Sequence, residues 1–179
     1  MADLTGASAH RVHSFSLVTR DRPGVLVRIA MVFARRSYNI ESLAVSPGAV
    51  EGFARFTITS SGDPKGADQI CKHLAKLIDV VFVADHRTTP PIEIEIALIK
   101  LRCTAAEREL VMRAATVRGA RVMDESDGTI VLCATGTSRE MNEWIAGIEP
   151  RLVEELVRSG RILMDRGASQ FAHLLRAEG

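Results

Sequence analysis

The spacing of apolar residues in the first half of the chain predicts four strands and two helices. Apolar residues at helical spacing follow Val25, and a second such stripe follows Pro64, with Asp63 before it as a helix N-cap. The β-prone runs around these stripes predict strands at His13–Thr19, Tyr38–Ser46, Gly52–Ser60 and Val80–Ala84. The resulting order, β-α-β-β-α-β, is that of a ferredoxin-like unit.

The second half of the chain repeats this order after Thr88–Pro91, which we interpret as a linker. It opens with a predicted amphipathic strand in which two kinds of residue alternate. Apolar residues at positions 92, 94, 96 and 98 alternate with Glu93, Glu95 and Ala97. This strand corresponds to the first strand of the first half.

Capping and turn signals predict the remaining elements of the second half. Capping boxes at Thr104–Glu107 and Thr137–Glu140 begin two helices, the first of which ends at Gly119. A hairpin turn is predicted at Asp127-Gly128, and β-prone runs predict strands at Ala120–Glu125, Thr129–Ala134 and Leu152–Val157. The fold class is therefore α+β, with two ferredoxin-like domains in tandem at residues 13–87 and 92–167. A flexible N-terminus (1–12) and a C-terminal tail (168–179) flank them.

The composition is typical of a globular protein without a strongly charged surface. Hydrophobic residues make up 46% of the chain, and 23 Lys+Arg against 22 Asp+Glu leave a formal net charge of +1. Such a balance creates no strong attraction to nucleic acid or to an anionic membrane. The N-terminus lacks the pattern of a secretory signal, so we expect a cytoplasmic protein. Cys71, Cys103 and Cys133 form no CxxC pair, and we expect reduced thiols.

No motif in the sequence predicts catalysis. The five histidines have no metal-binding spacing, and no GxSxG, P-loop or GxGxxG motif occurs. Glu93 and Glu95 share one face of a predicted strand, where paired carboxylates could act as acid and base. We interpret them instead as a solvated face. We therefore expect no catalytic residue, no metal site and no cofactor in this chain.

RNA binding is one alternative function. The run Glu51–Phe56 (EGFARF) falls on the third predicted strand of a ferredoxin-like unit, where RNA-recognition motifs carry stacking aromatic residues. However, Glu51 stands where a Lys or Arg is expected, and Arg55 stands where an aromatic residue is expected. Together with the neutral net charge, these departures disfavour RNA binding.

The segment between the first two predicted strands holds the strongest candidate binding site. Asp21–Gly24 (DRPG) predicts a tight turn at a helix start, where Gly24 leaves room for a ligand beside the backbone. The N–H groups of the first helical turn suit a carboxylate, and the amide of Asn39 can both donate and accept hydrogen bonds. These groups fit a free amino acid. In the alternative interpretation, Asp21 only caps the helix and Asn39 only shapes a turn.

The run Arg22–Val45 (RPGVLVRIAMVFARRSYNIESLAV) resembles the small regulatory subunits of acetohydroxyacid synthase, also called acetolactate synthase. Its DRPGVL start resembles the glycine-bearing loop of ACT domains, which are amino-acid-sensing modules. The likeness continues through shorter motifs at Gly62-Asp63, Leu77–Val80, Glu95–Lys100, Val157–Gly160 and Asp165–Gly167. An ordered series over nearly the whole chain is far more specific than a lone DRPG.

The resemblance implies a binding site shared between two subunits. In that family the N-terminal ACT domains of a homodimer pair edge to edge into one sheet, and an effector amino acid, usually valine, binds at the interface. The matching loop positions in this chain are Asp21, Pro23, Gly24, Val25 and Leu26. The matching positions from the opposite subunit are Asn39 and Ile40.

The resemblance also implies a partner protein. This partner is a large catalytic subunit that uses thiamine diphosphate, magnesium and FAD to condense pyruvate into acetolactate. The small subunit raises that activity and transmits feedback inhibition without catalysing anything itself. A second interpretation is a stand-alone ACT-type sensor that regulates another enzyme or a transcription factor.

Two residues depart from the family pattern at the expected site. Asp21 stands where Asn is usual, and an inward Asp21 would oppose the carboxylate of the effector and favour its ammonium group. Ser37 replaces the usual Gly, which implies that a backbone geometry open only to glycine is not essential here. We expect valine as the effector, with leucine or isoleucine as alternatives, and whether feedback is retained stays open.

Overall fold

A computed structural model describes residues 11–87, 90–126 and 128–167, and their contacts separate the chain into two units. The first unit extends to Ile92 and includes the segment from Leu163 onward, while the second is Glu93–Ile162. Within the first unit, Nη2 of Arg55 donates to the carbonyl of Leu163 at 2.8 Å. Residues 1–10, residues 88–89 of the linker and the tail from residue 168 lie outside the described residues. The predicted domain limits therefore stay predictions.

The first unit follows the predicted order of elements. They are β1 (Arg11–Arg20), α1 (Val25–Ala34), β2 (Ser42–Pro47), β3 (Phe53–Gly62), α2 (Pro64–Leu74) and β4 (Val80–Asp85). The strands form an antiparallel sheet in the order β2-β3-β1-β4, so β2 and β4 are its edges. Asp63 caps α2 as predicted, because its carboxylate accepts the N–H of Gly66 at 3.0 Å.

The apolar stripes of α1 and α2 form one core with the sheet. Seven of its residues have no exposed surface: Phe15, Leu17, Ile29, Ile58, Ala67, Ile70 and Leu74. The rings of Phe15 and Phe33 meet edge to face, with their centroids 5.8 Å apart. Phe56 also belongs to this core and is only 4% exposed. Phe56 therefore cannot stack on a base, and half-buried Phe53 is left as the one aromatic residue of the Glu51–Phe56 run that could do so.

The second unit repeats the topology of the first. Its elements are β5 (Ile92–Arg102), α3 (Ala105–Val117), β6 (Arg121–Ser126), β7 (Thr129–Gly136), α4 (Ser138–Ala146) and β8 (Val153–Arg158). A short strand, β9 (Ile162–Met164), follows at the boundary between the units. Its main strands lie in the order β6-β7-β5-β8, which is equivalent to the order in the first sheet. The predicted tandem of ferredoxin-like folds is confirmed.

Both predicted capping boxes are present in the second unit. The hydroxyls of Thr104 and Thr137 accept the N–H groups of Glu107 and Glu140, whose carboxylates bond back to the N-cap backbone. The helix α3 ends where predicted, since Gly119 follows its C-cap with a φ of 65°.

The structure also bears on the predicted hairpin turn between β6 and β7 and on the predicted start of β8. Asp127 lies outside the described residues, but Ser126 pairs with Thr129 across the hairpin and Gly128 has a φ of 76°. The strand β8 begins one residue later than predicted because Pro150–Leu152 forms a 3-10 turn.

The prediction that both glutamates of β5 lie on a solvated face is wrong. Glu95 is only 2% exposed and shares its face with buried Ala97 and Ile99, while the alternate apolar residues of the strand are exposed. Its carboxylate accepts bonds from Nε and Nη2 of Arg158 at 2.5 and 2.9 Å, and from the hydroxyl of Ser138 at 2.7 Å. The buried charge is tolerated because these donors compensate it. Glu93 is half-buried.

The strand β2 begins at Ser42, four residues later than predicted, because the chain turns after α1. The N–H of Tyr38 bonds back to the carbonyl of Phe33 at 3.1 Å. Ser37 has a φ of 57° and is the one non-glycine residue with positive φ among the described residues. The position therefore keeps a left-handed backbone, which serine adopts at a cost.

Replacing Ser37 with glycine should raise the free energy of unfolding by about 0.5–1 kcal/mol. The left-handed backbone costs an L-residue about 1–2 kcal/mol, and the greater unfolded-state entropy of glycine offsets part of that gain. Chemical denaturation measures the change. The matched control is Ser46→Gly in the extended strand β2, which should lower the free energy of unfolding. Loss of stability in Ser37→Gly would contradict this explanation.

Replacing Glu95 with glutamine should lower the free energy of unfolding by about 2–4 kcal/mol, because Arg158 loses its counter-charge in a partly buried site. The exposed pair of Lys100 and Glu155 provides the control, since Glu155→Gln removes the same charge and should change stability little. Chemical denaturation of both variants measures the difference.

The effect of Glu95→Gln should also depend on pH. Burial raises the pKa of Glu95, but the hydrogen bonds from Arg158 and Ser138 outweigh burial and bring the pKa below 4.5. The ionised carboxylate therefore stabilises fully above that pH, and its contribution is lost as pH falls through the native pKa. The difference in the free energy of unfolding between wild type and Glu95→Gln should become smaller in acid. A difference in the free energy of unfolding that does not change with pH would contradict a stabilising ion pair between Glu95 and Arg158.

Candidate functional site

The turn between β1 and α1 is tied to the sheet by backbone hydrogen bonds. The N–H of Arg20 donates to the carbonyl of Asp79, and the N–H of Asp21 donates to the carbonyl of Gly52, each at 2.8 Å. Arg20 also pairs with Phe53 at the start of β3. The predicted loop residues therefore lie at the end of the sheet where β3 begins.

The start of α1 has no side-chain cap. Gly24 is the N-cap, with φ 83° and ψ −3°, and no side chain accepts a hydrogen bond from the first turn. A residue with a Cβ at this position would be forced into the left-handed region, and the Cβ would lie 3.6 Å from Nη1 of Arg28. The interpretation of Asp21 as the helix cap is therefore wrong. The N–H of Val25 donates to the carbonyl of Arg22 at 3.3 Å. The N–H groups of Leu26 and Val27 have no acceptor among the described residues and remain open to one from outside the chain.

The five predicted loop residues differ in what they can offer a ligand. Asp21, Pro23 and Gly24 are exposed, and Leu26 keeps 43% of its surface exposed. Val25 is only 4% exposed and its side chain packs in the core. The side chain of Val25 is therefore closed to a ligand, and its N–H already donates to the carbonyl of Arg22 at 3.3 Å. Leu26 presents an apolar side chain next to the helix start.

Asp79 holds this turn in place, although sequence analysis did not identify it as a functional residue. Its side chain is 5% exposed, forms an ion pair with Arg28 of α1 and lies 3.9 Å from Nη1 of Arg22. Its carbonyl also accepts the N–H of Arg20, and these contacts make Asp79 a positioning residue for the loop. The Arg28–Asp79 contact joins positions 51 residues apart, so no local pattern could reveal it.

The second predicted half of the site lies after α1. Asn39 is exposed and its carbonyl accepts the hydroxyl of Ser60 at 2.7 Å, while its side-chain amide bonds to none of the described residues. Ile40 is half-buried and packs against the core. Asn39 thus offers a free amide, and Ile40 offers part of an apolar surface.

Within one chain these two halves are far apart. The loop lies beside Phe53 at the start of β3, whereas Asn39 lies beside Ser60 near its end. Seven residues of a strand span about 23 Å. A single amino acid is much smaller than that distance, so one chain cannot place Gly24 and Asn39 on the same ligand.

The chemistry available at the site is that of ligand binding. An uncapped helix start can hold a carboxylate, and an exposed amide can bond to either polar end of an amino acid. Among residues 11–87, 90–126 and 128–167, no group of three or more His, Cys, Asp or Glu side chains could hold a metal ion. In the same part of the chain, no helix is long and apolar enough to cross a membrane.

Comparison with known families gives one match in each unit. A family model described as the AHAS small subunit-like ACT domain matches residues 15–82. A second, described as the small subunit of acetolactate synthase, matches residues 94–167. The boundary between the two matches falls at the linker.

Individual relatives extend over most of the chain. The acetolactate synthase small subunit of Mycobacterium leprae is 37% identical over 155 residues, which are 87% of this chain and 92% of that protein. The chloroplastic acetolactate synthase small subunit 1 of Nicotiana plumbaginifolia is 38% identical over 85% of this chain and 34% of its own length. The crystal structure of the Thermotoga maritima small subunit superposes with a TM-score of 0.81 at 30% identity, over 89% of this chain and 99% of that one. Sequence and fold together show that the chain belongs to the family of acetolactate synthase small subunits, with an ACT domain as its first unit.

Proposed function

We propose that this protein is a non-catalytic regulatory subunit that senses a branched-chain amino acid, with valine as the first choice over leucine and isoleucine. The uncapped start of α1 at Gly24 is the observation that supports this most directly. The regulated partner is a large catalytic acetolactate synthase subunit in the cytoplasm. That subunit carries thiamine diphosphate, magnesium and FAD.

The open groups of the site match the parts of the effector. The carboxylate accepts hydrogen bonds from the first-turn N–H groups of α1, where the helix dipole also favours a negative charge. The side-chain amide of Asn39 bonds to the polar end of the amino acid. Leu26 and Ile40 contact the branched side chain, whose burial contributes about 1.5–3 kcal/mol. That energy favours valine over alanine by one to two orders of magnitude.

Antiparallel pairing of two β2 strands brings the halves of the site together in a homodimer. Ser42 of β2 pairs with Thr59 of β3, and Pro47 pairs with Ala54. The start of β2 therefore lies at the Asn39 end of the sheet, and its end lies near the β1–α1 turn. A two-fold axis places the start of one β2 beside the end of the other. Asn39 of one chain then approaches Gly24 of the second chain.

The edge strand β2 is suited to such pairing. Its outer N–H and C=O groups have no neighbouring strand in this sheet, and an unpaired edge is a template for strand addition. Val45 on this strand is 49% exposed. Pairing satisfies the backbone groups and covers part of this apolar surface, so the proposed dimer is favoured even without effector.

Regulation follows if the effector contacts both chains. A ligand bound across the interface stabilises the arrangement of the two chains that fits it best. A catalytic subunit that contacts the dimer therefore meets a different surface when the effector is bound. The resulting difference in binding free energy couples the effector site to the contact with the catalytic subunit. Asp21 is exposed at the same turn. Its carboxylate favours the ammonium group of the effector over the carboxylate and so limits how the effector orients.

Replacing Asn39 with alanine should weaken inhibition by valine at least tenfold and leave activation of the catalytic subunit nearly unchanged. The variant loses hydrogen bonds to a charged ligand, while the fold keeps the bond from Ser60 because that bond uses the backbone of Asn39. Acetolactate formation by the reconstituted two-subunit enzyme, measured against valine concentration, gives both quantities.

The matched control for this experiment is Asn142→Ala in α4, the other asparagine of the chain. It should leave the response to valine unchanged. Failure of the wild-type chain to raise acetolactate formation would reject a regulatory subunit and favour a stand-alone sensor. Equal loss of activation and inhibition in Asn39→Ala would assign Asn39 to the fold or to the docking surface.

A further inference from the structure

A basic cleft lies between the end of α1 and the start of α2. It encloses about 590 Å³, and its charged and polar lining includes Arg35, Arg36, Tyr38, Asp63, Lys65 and His73. The cleft is separate from the effector loop, because Gly24 and Arg35 flank α1 at its opposite ends. A helix of ten residues is about 15 Å long. A ligand in the cleft would therefore be distinct from one bound at the Gly24 loop.

Positive charge prevails in the cleft. Three permanent cations, Arg35, Arg36 and Lys65, face one carboxylate, Asp63. That carboxylate is already occupied, because Oδ2 accepts the phenol of Tyr38 at 2.6 Å and Oδ1 accepts the N–H of Gly66 at 3.0 Å. These bonds hold the pKa of Asp63 below its ordinary value. Asp63 therefore neutralises only part of the surrounding charge.

The side chains of the three cations differ in the hydrogen bonds that they already form. Arg36 is oriented by α2, since its guanidinium donates through Nη1 to Gln69 and lies 2.6 Å through Nη2 from Nε2 of His73. The side chains of Arg35 and Lys65 form no hydrogen bond or ion pair with any of the described residues. The cleft thus combines one positioned guanidinium with two cations whose donors are free for a ligand.

The floor of the cleft is rigid. A Cβ added to Gly62 or Gly66 would overlap the ring or hydroxyl of Tyr38. The ring therefore lies directly on the backbone at the start of α2, and its hydroxyl is fixed by Asp63. A site that exists before the ligand arrives loses less entropy on binding.

We propose that this cleft binds a small anion that carries one or more phosphoryl groups. Guanidinium groups match phosphate oxygens with paired donors, and a lysine ammonium adds a mobile point charge. The volume falls within the range of small-ligand sites. A zwitterionic amino acid fits poorly, since its ammonium group would be repelled by the excess positive charge. Tyr38 of the cleft precedes Asn39 in the chain, but the inference uses neither Asn39 nor the loop at Gly24.

Calorimetric titration of the purified full chain with pyrophosphate, in a phosphate-free buffer of low ionic strength, tests this site. The expected result is saturable binding of one pyrophosphate per chain. Arg35→Gln and Arg36→Gln should each weaken it about tenfold or more, since each removes charged hydrogen bonds to the anion. Arg35→Gln removes a side chain without partners, so it tests the site even if Arg36→Gln impairs folding.

The matched control is Arg113→Gln, which removes the same charge from the exposed pair with Glu109 on α3. It should leave the affinity for pyrophosphate unchanged. Absence of saturable binding by the wild-type chain would overturn the proposal. So would equal weakening in Arg113→Gln, or unchanged affinity in both cleft variants. Binding of citrate as tight as that of pyrophosphate would reject the assignment to phosphoryl groups.

Discussion

The left-handed backbone of Gly24 leaves α1 without a side-chain cap, and the binding chemistry of the first unit depends on that opening. The neighbouring helix α2 shows the contrast, because there the carboxylate of Asp63 accepts a first-turn N–H. At α1 the same kind of donor has no such acceptor, so the carboxylate of a ligand can take the equivalent place. The ion pairs of Asp79 with Arg22 and Arg28 keep the turn in this open form.

In the function that we propose, the distance between the two halves of the site makes dimer formation part of ligand binding. Gly24 and Asn39 lie at opposite ends of the first sheet, and the edge strand β2 runs between those ends. Antiparallel pairing of two β2 edges would provide hydrogen-bond partners for their exposed backbone groups. It would also bring the Asn39 end of one sheet beside the Gly24 end of the other. An effector bound in the proposed dimer would stabilise its interface, and regulation would then need only a catalytic partner that recognises the resulting arrangement.

Local signals in the sequence predicted most of the fold, and long-range contacts account for what was missed. Asp63, Thr104 and Thr137 were identified as caps because their bonds reach only three residues ahead. The buried face of Glu95 depends on Arg158, 63 positions away, so alternation alone gave the wrong face. The loop residues were predicted from a motif, but their separation from Asn39 follows from the register of β1 on β3, which no motif encodes.

Mixing two inactive variants tests most directly whether one site is built from two chains. Gly24→Asp places a carboxylate at the helix start, in a backbone conformation that aspartate tolerates better than most residues, while Asn39→Ala removes the amide. At valine concentrations that just saturate the wild type, neither variant alone should show saturable binding in calorimetry, because each binds valine at least tenfold more weakly. After an equal mixture is unfolded and refolded, about half of the dimers hold one intact site, so about a quarter of the wild-type binding capacity should return. No recovery in the mixture, or saturable binding by either variant alone, would contradict a site shared between two chains.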